Sequence, residues 1–172
     1  MRVRLSVLLC IWPLLAEATQ YAAPRLHGTA DQAQLSYVQD GHRIAAPRWV
    51  NEQQGVAQAR VSREGRMIGW LVLTPNCCTS YPLPTALVVQ WGHQHRVMRE
   101  GQAIWRWSFG RQPGTVVYVT DLPHGPTAAH YYLRRVVDGK LLAEFDCREA
   151  TSRHTPPILP DWVRLVDKAC PE

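Results

Sequence analysis

The chain has 172 residues and five cysteines, is 46% hydrophobic and 19% charged, and carries a formal net charge of +5. That length suits one domain burying about two thirds of its surface. The charge is modest, and arginines such as Arg60, Arg66, Arg96, Arg106 and Arg134 stand singly among apolar residues, as on solvated strand faces. This excludes the clustered basic footprint of a specific nucleic-acid binder.

In chain order, residues 1–18 come first: two arginines, an apolar run from Leu5 to Leu15, and an A-x-A signal at Ala16 and Ala18. They read as a secretory signal peptide cut before Thr19. The run is about 11 residues long and a bilayer needs about 20, so no membrane span is expected after cleavage. Export to the periplasm or the exterior removes Cys10. It leaves Cys77, Cys78, Cys147 and Cys170 in an oxidising compartment, where an even count implies disulfides. Residues 19–33 carry no clear periodicity and are expected to be loose.

From Gln34 the pattern changes to short alternating runs separated by turn residues, a strand signal. QLSYVQ and HRIAA flank Asp40-Gly41, AQARVS and RMIGWLVL flank Arg63-Glu64-Gly65, and TALVVQW and QHRVMR flank Gly92-His93. AIWRWSF and TVVYVT flank Pro113-Gly114, and HYYLRRV and KLLAEF flank Asp138-Gly139. Residues 34–146 therefore form a β domain of hairpins. Two stretches within it, about 55–100 and 101–146, align with each other at a spacing of about 47 residues, as Gly92 and Gly139 show. The hairpin at Tyr37 to Ala46 then reads as the second half of an earlier, incomplete unit. Residues 147–172 differ in kind: Pro156, Pro157 and Pro160 make an extended arm, and Asp161 is placed to cap a short helix with Trp162, Leu165, Val166 and Ala169 on one face.

The four-stranded units, with VSREGRMIGWLV at their centre, resemble blades of WD-repeat and TolB-like propellers. Two and a half blades do not close a ring. The expected fold is all-β, with antiparallel meanders in two blade-like four-stranded units packed as an open sandwich and a short C-terminal helix on the β domain. A second resemblance is carried by Trp70, Leu71, Pro75, Asn76, Cys77, Cys78, Thr79, Ser80, Tyr81 and Pro82, followed by His124, Gly125, His130 and Tyr131. It is to uncharacterised secreted bacterial proteins with a W-L-x-x-x-P-N-C-C-T-S-Y-P segment, and it implies no activity.

Adjacent cysteines in extended chain point to opposite sides. Two arrangements follow. Cys147 can join Cys170, closing a loop of about 23 residues worth about 3 kcal/mol in the chain-entropy model and leaving Cys77 and Cys78 as a vicinal disulfide or a dithiol. Alternatively Cys77 and Cys78 reach Cys147 and Cys170. Under the alignment of the two units, PNCCTSYPLP and DLPHGPTAA occupy the same inter-strand loop, so both emerge on one rim. The candidate binding residues are Asn76, Cys77, Cys78, Tyr81, His124 and His130. As an alternative, two thiolates and two imidazoles from Cys77, Cys78, His124 and His130 are a soft ligand set for copper or zinc, and the cysteine pair alone is a candidate redox couple.

The remaining conspicuous residues read as structural. Trp105 and Trp107 sit two apart and are expected on one strand face beneath the terminal arm. His93 and His95 belong to a hairpin turn, and Glu144, Asp146 and Glu149 to a solvated cluster beside Arg148. No catalytic residues can be named by spacing. The function expected is that of an exported, non-enzymatic binding or interaction domain whose partner is a protein or an envelope polymer.

Overall fold

A computed structural model describes residues 18–123, 129–148 and 158–166. The described chain is all-β and its strands form three antiparallel sheets. The first contains β1 (Tyr21–His27), β2 (Gln34–Gln39) and β3 (His42–Ala45). The second contains β4 (Gly55–Val61), β5 (Ile68–Thr74), β6 (Leu83–Trp91) and β7 (Gln94–Met98). The third contains β8 (Ala103–Phe109), β9 (Thr115–Asp121), β10 (His130–Arg135) and β11 (Leu141–Asp146). Within each sheet every strand pairs with its neighbour in sequence, so all three are meanders without crossovers.

The second sheet is the middle layer. Every residue of β5 is buried, which is why IGWLVLT reads as a continuous apolar run instead of an alternating one. Ile68, Trp70 and Val72 pack towards Tyr21, Leu35 and Tyr37 of the first sheet. Leu71, Leu87 and Val89 pack towards Ile104, Trp107 and Val116 of the third. Burying one such side chain contributes about 1.5–3 kcal/mol, so these two interfaces hold most of the driving force. Gly69 lies under the Trp107 ring: a Cβ there would stand 2.7 Å from Cη2 of the indole, so close approach of the layers requires glycine.

The segment 19–33, expected to be loose, contains strand β1. Tyr21 is what orders it: its ring is buried edge-on against Tyr37 at 5.8 Å, its N–H donates to the Gly65 carbonyl (2.6 Å), and its hydroxyl donates to the Gly92 carbonyl (2.9 Å). The rest of β1 is largely exposed, which removes the alternation that would have revealed it. With β1, the first hairpin becomes a three-stranded sheet, and the architecture has three layers instead of the two units alone.

Turn chemistry follows the sequence at Asp40-Gly41, where both residues adopt positive φ (49° and 81°) and Gln39 pairs with His42, a two-residue type I′ geometry. At Asp138-Gly139 the connection is longer. β10 ends at Arg135, Val136 turns inward to full burial, and the Arg135 side chain holds Asp138 through its Nε (2.9 Å).

The first strand of each sheet carries one extra residue: between Ala22 and Arg25 in β1, Ala57 and Arg60 in β4, and Ile104 and Arg106 in β8. In β8 the bulge overturns the expected common face of Trp105 and Trp107. It places Ile104 and Trp107, three apart, on the face against the second sheet, while Trp105 is half-buried and its Nε1 donates to the Asp121 carbonyl (3.1 Å).

The outer face of the third sheet is covered by the C-terminal segment. Val117, Val119 and Tyr131 pack against Val163 and Val166, with Leu159, Trp162 and Leu165 at the margin. Among the described residues, a 3-10 turn, Val163–Leu165, stands in place of the expected helix, and Asp161 does not cap it; its carboxylate instead lies 3.5 Å from Arg111. Ala169 and Cys170 lie outside the described residues.

Candidate functional site

The β5–β6 connection is the stretch singled out by its cysteines. Thr74 and Thr85 close its base through a hydroxyl pair at 2.9 Å, and Pro82, Leu83 and Pro84 are buried. The register shifts opposite Pro84, which has no N–H to give the ladder. Above this base the loop is organised by Asn76. Its Oδ1 accepts from the Cys78 and Thr79 N–H groups (2.9 and 3.0 Å), and its Nδ2 donates to the Tyr81 carbonyl (3.1 Å) and to Thr79 Oγ1 (2.5 Å). This is the side-chain mimicry of a backbone turn that asparagine performs well, and it meets four partners with one residue.

Cys77 and Cys78 are bonded to each other at the exposed tip of that loop. Of the two arrangements open from the sequence, the vicinal one is therefore present. Cys147 is buried on the other side of the third sheet and is itself disulfide-bonded; Cys170, its expected partner, lies outside the described residues. Tyr81, on the same loop, is 40% exposed.

Asn76, Cys77, Cys78 and Tyr81 are thus brought together. His124 lies outside the described residues. His130 belongs to a different cluster on β10: its ring stacks on Tyr132 at 4.5 Å, and its Nε2 and Nδ1 lie 3.5 Å from Glu144 and 3.6 Å from Asp146. The strand register causes this, because His130 pairs directly with Asp146 across β10 and β11. Glu144 and Asp146, expected as part of a solvated cluster, therefore flank an imidazole. Among the described residues no three His, Cys, Asp or Glu side chains are grouped as a metal site. His95 lies on β7 and stacks on Trp49 at 3.8 Å.

Two polar clusters escaped the sequence reading. Between the second and third sheets, the buried Tyr118 hydroxyl donates to Glu100, whose carboxylate also receives Arg134 Nε (3.0 Å) and a terminal guanidinium nitrogen (3.3 Å). Burial first, and then the bond to Glu100, push the Tyr118 hydroxyl far above its ordinary range, so it is locked in its neutral donor form. Between the first and second sheets, Tyr37 donates to Gln90 Oε1 (3.0 Å) and Gln90 Nε2 approaches the Tyr21 hydroxyl at 3.5 Å. In both, a polar tip sits on a side chain whose ring is core, and its partners come from other segments: the facing strand β6 for Tyr37, and the β7–β8 connection and the neighbouring strand β10 for Tyr118. The available signal was a Tyr or Gln inside an apolar strand.

The β4–β5 and β8–β9 turns together bound one groove, so the β5–β6 connection and the C-terminal end of β9 lie at the opposite strand ends. Just beyond β9, Leu122 is 41% exposed and its N–H is held by Asp121 Oδ1 (2.7 Å). Compared with family models, curated proteins and solved structures, the chain matches none, so the functional reading rests on this geometry.

Proposed function

We propose that the chain is an exported, non-enzymatic binding domain and that the loop from Pro75 to Pro84 is its recognition element for a protein or envelope polymer. The observation that carries this reading is the pairing of an exposed vicinal disulfide and an exposed tyrosine on a loop already ordered by Asn76. Sulfur is polarizable and tyrosine offers a large amphipathic ring, so together they make an adhesive surface. Because the loop is ordered before any partner arrives, binding loses little further conformational entropy. Bonded cysteines also fit an oxidising compartment, which supports export and a periplasmic or secreted location.

The test is photocrosslinking in cells, with a benzoylphenylalanine at position 81 of the full exported chain and a control at position 36. Discrete adducts from position 81 that disappear with Asn76→Ala are expected. No adduct, or the same adducts from position 36, ends the reading.

A second reading is favoured by one feature: Asn76 braces the loop without help from the sulfurs, so the disulfide can open while the backbone stays in place. Cys77 and Cys78 would then act as a redox pair or, once reduced, join His124 in holding copper or zinc. Mild dithiothreitol treatment followed by thiol alkylation reports the first role. Stoichiometric copper or zinc uptake by the reduced protein, lost with His124→Ala, reports the second.

A further inference from the structure

At the end of the molecule away from the cysteine loop, the β4–β5 and β8–β9 turns enclose a groove of about 1110 Å³. Its walls are Arg60 to Glu64 on one side and Ser108 to Thr115 on the other. β4 terminates the second sheet and β8 terminates the third, so two strand edges face each other here. Ser62 and Gly110 each turn their N–H inward, to the Met67 and Thr115 carbonyls (both 2.9 Å). By the alternation of antiparallel pairing, the main-chain groups of Val61 and Phe109 then point outward, into the groove.

Further along, the same two edges are tied together. Gln58, at the β4 bulge with φ of 50°, donates from Nε2 to the Trp105 carbonyl (2.7 Å) and accepts at its own carbonyl from Trp107 Nε1 (2.9 Å). The edges are therefore held at a fixed separation without being paired, and natural proteins seldom leave strand edges in that state. The groove is also charged. Arg60, Arg63 and Arg111 line it against a single carboxylate, Glu64, and among the described residues these arginines make one ion pair, the exposed Arg111–Asp161 contact at 3.5 Å.

We propose that this groove is a docking site for an extended, acidic peptide segment, which adds as a strand to the β4 or β8 edge and places its carboxylates on Arg60 and Arg63. An extended peptide offers N–H and C=O groups in alternation, which is what an open strand edge pairs with; an anionic glycan meets the arginines but not the edge. The site is independent of the cysteine loop and goes beyond the recognition role proposed for it.

The test titrates the full exported chain with three fluorescent probes. One is a short peptide of alternating Glu and Val, the second is the same peptide with alternate amides N-methylated, and the third is a galacturonic acid oligomer of equal charge. The plain peptide should bind, with amide shift changes at residues 60–64 and 108–115. Its affinity should fall about tenfold in the Arg60→Gln, Arg63→Gln double variant, and N-methylation should weaken it comparably. Both arginines are exposed, so the variant keeps its fold, which its unchanged spectrum elsewhere verifies. Absence of binding at millimolar peptide, equal binding of the N-methylated probe, stronger binding of the galacturonate, or shift changes confined to residues 75–82 would each overturn the proposal.

Discussion

Asn76 is the residue on which the candidate site depends. Its amide meets two main-chain N–H groups, a carbonyl and a hydroxyl within six residues. Asn76→Ala leaves the Cys78 and Thr79 N–H groups without their acceptor, and by analogy with capping asparagines it should cost about 1 kcal/mol. The sharper readout is hydrogen exchange: protection at 78 and 79 should be lost in Asn76→Ala and kept in the Cys77→Ser, Cys78→Ser variant. Loss of protection in the cysteine variant instead would mean that the disulfide orders the loop. The contribution of Asn76 was not visible in the string PNCCTSYPLP, where the cysteines and prolines dominate, because an Asx turn is recognised by what its carboxamide touches.

At the scale of the element, the bulges in β1, β4 and β8 decide which side chains enter the core. Without the extra residue at Gln58, Ala59 and Val61 would leave the face they share with Val56 against the first sheet. Deleting Gln58 should therefore destabilise the fold well beyond Gln58→Ala, which removes only the donor to the Trp105 carbonyl and should cost about 1 kcal/mol in a urea titration. Equal losses in the two variants would show that the bulge does not set the register. The strands themselves were legible, since alternation and turn residues locate ten of the eleven within a residue or two. β1 was not, because only Tyr21 of its seven residues is buried and nothing in YAAPRLH alternates. The pairing of Trp105 and Trp107 was misjudged for a related reason: period-two reasoning holds only while the register is unbroken, and a bulge leaves no composition signal of its own.

For the whole molecule, the layered stack buries tyrosines at both interfaces, and this couples stability to alkaline pH. Burial pushes the Tyr21 hydroxyl up to about 12 and raises those of Tyr37 and Tyr118 as well. In the unfolded chain these hydroxyls titrate near 10, so above that pH the unfolded state releases protons first and the folded state loses ground. Stability from this source is complete below about pH 10 and declines as pH rises from there through the folded-state values. Urea midpoints should stay flat from pH 8 to about 10 and then fall, and Tyr118→Phe should make that fall shallower. A midpoint indifferent to pH above 10 in the parent protein would refute the coupling.

Strand periodicity and turn chemistry are local properties, and they specify the all-β class, the hairpin order and the loop carrying Asn76, Cys77, Cys78 and Tyr81 from the order of residues alone. What local pattern leaves open is settled by packing: the β1–β3 sheet covers the face of the β4–β7 layer away from β8–β11, residues 163–165 form a 3-10 turn, Cys77 bonds Cys78, and His130 faces Glu144 and Asp146. Each of these is a choice among partners far apart in the chain. Register, bulges and layer packing make that choice, and they act between segments whose sequences do not record one another.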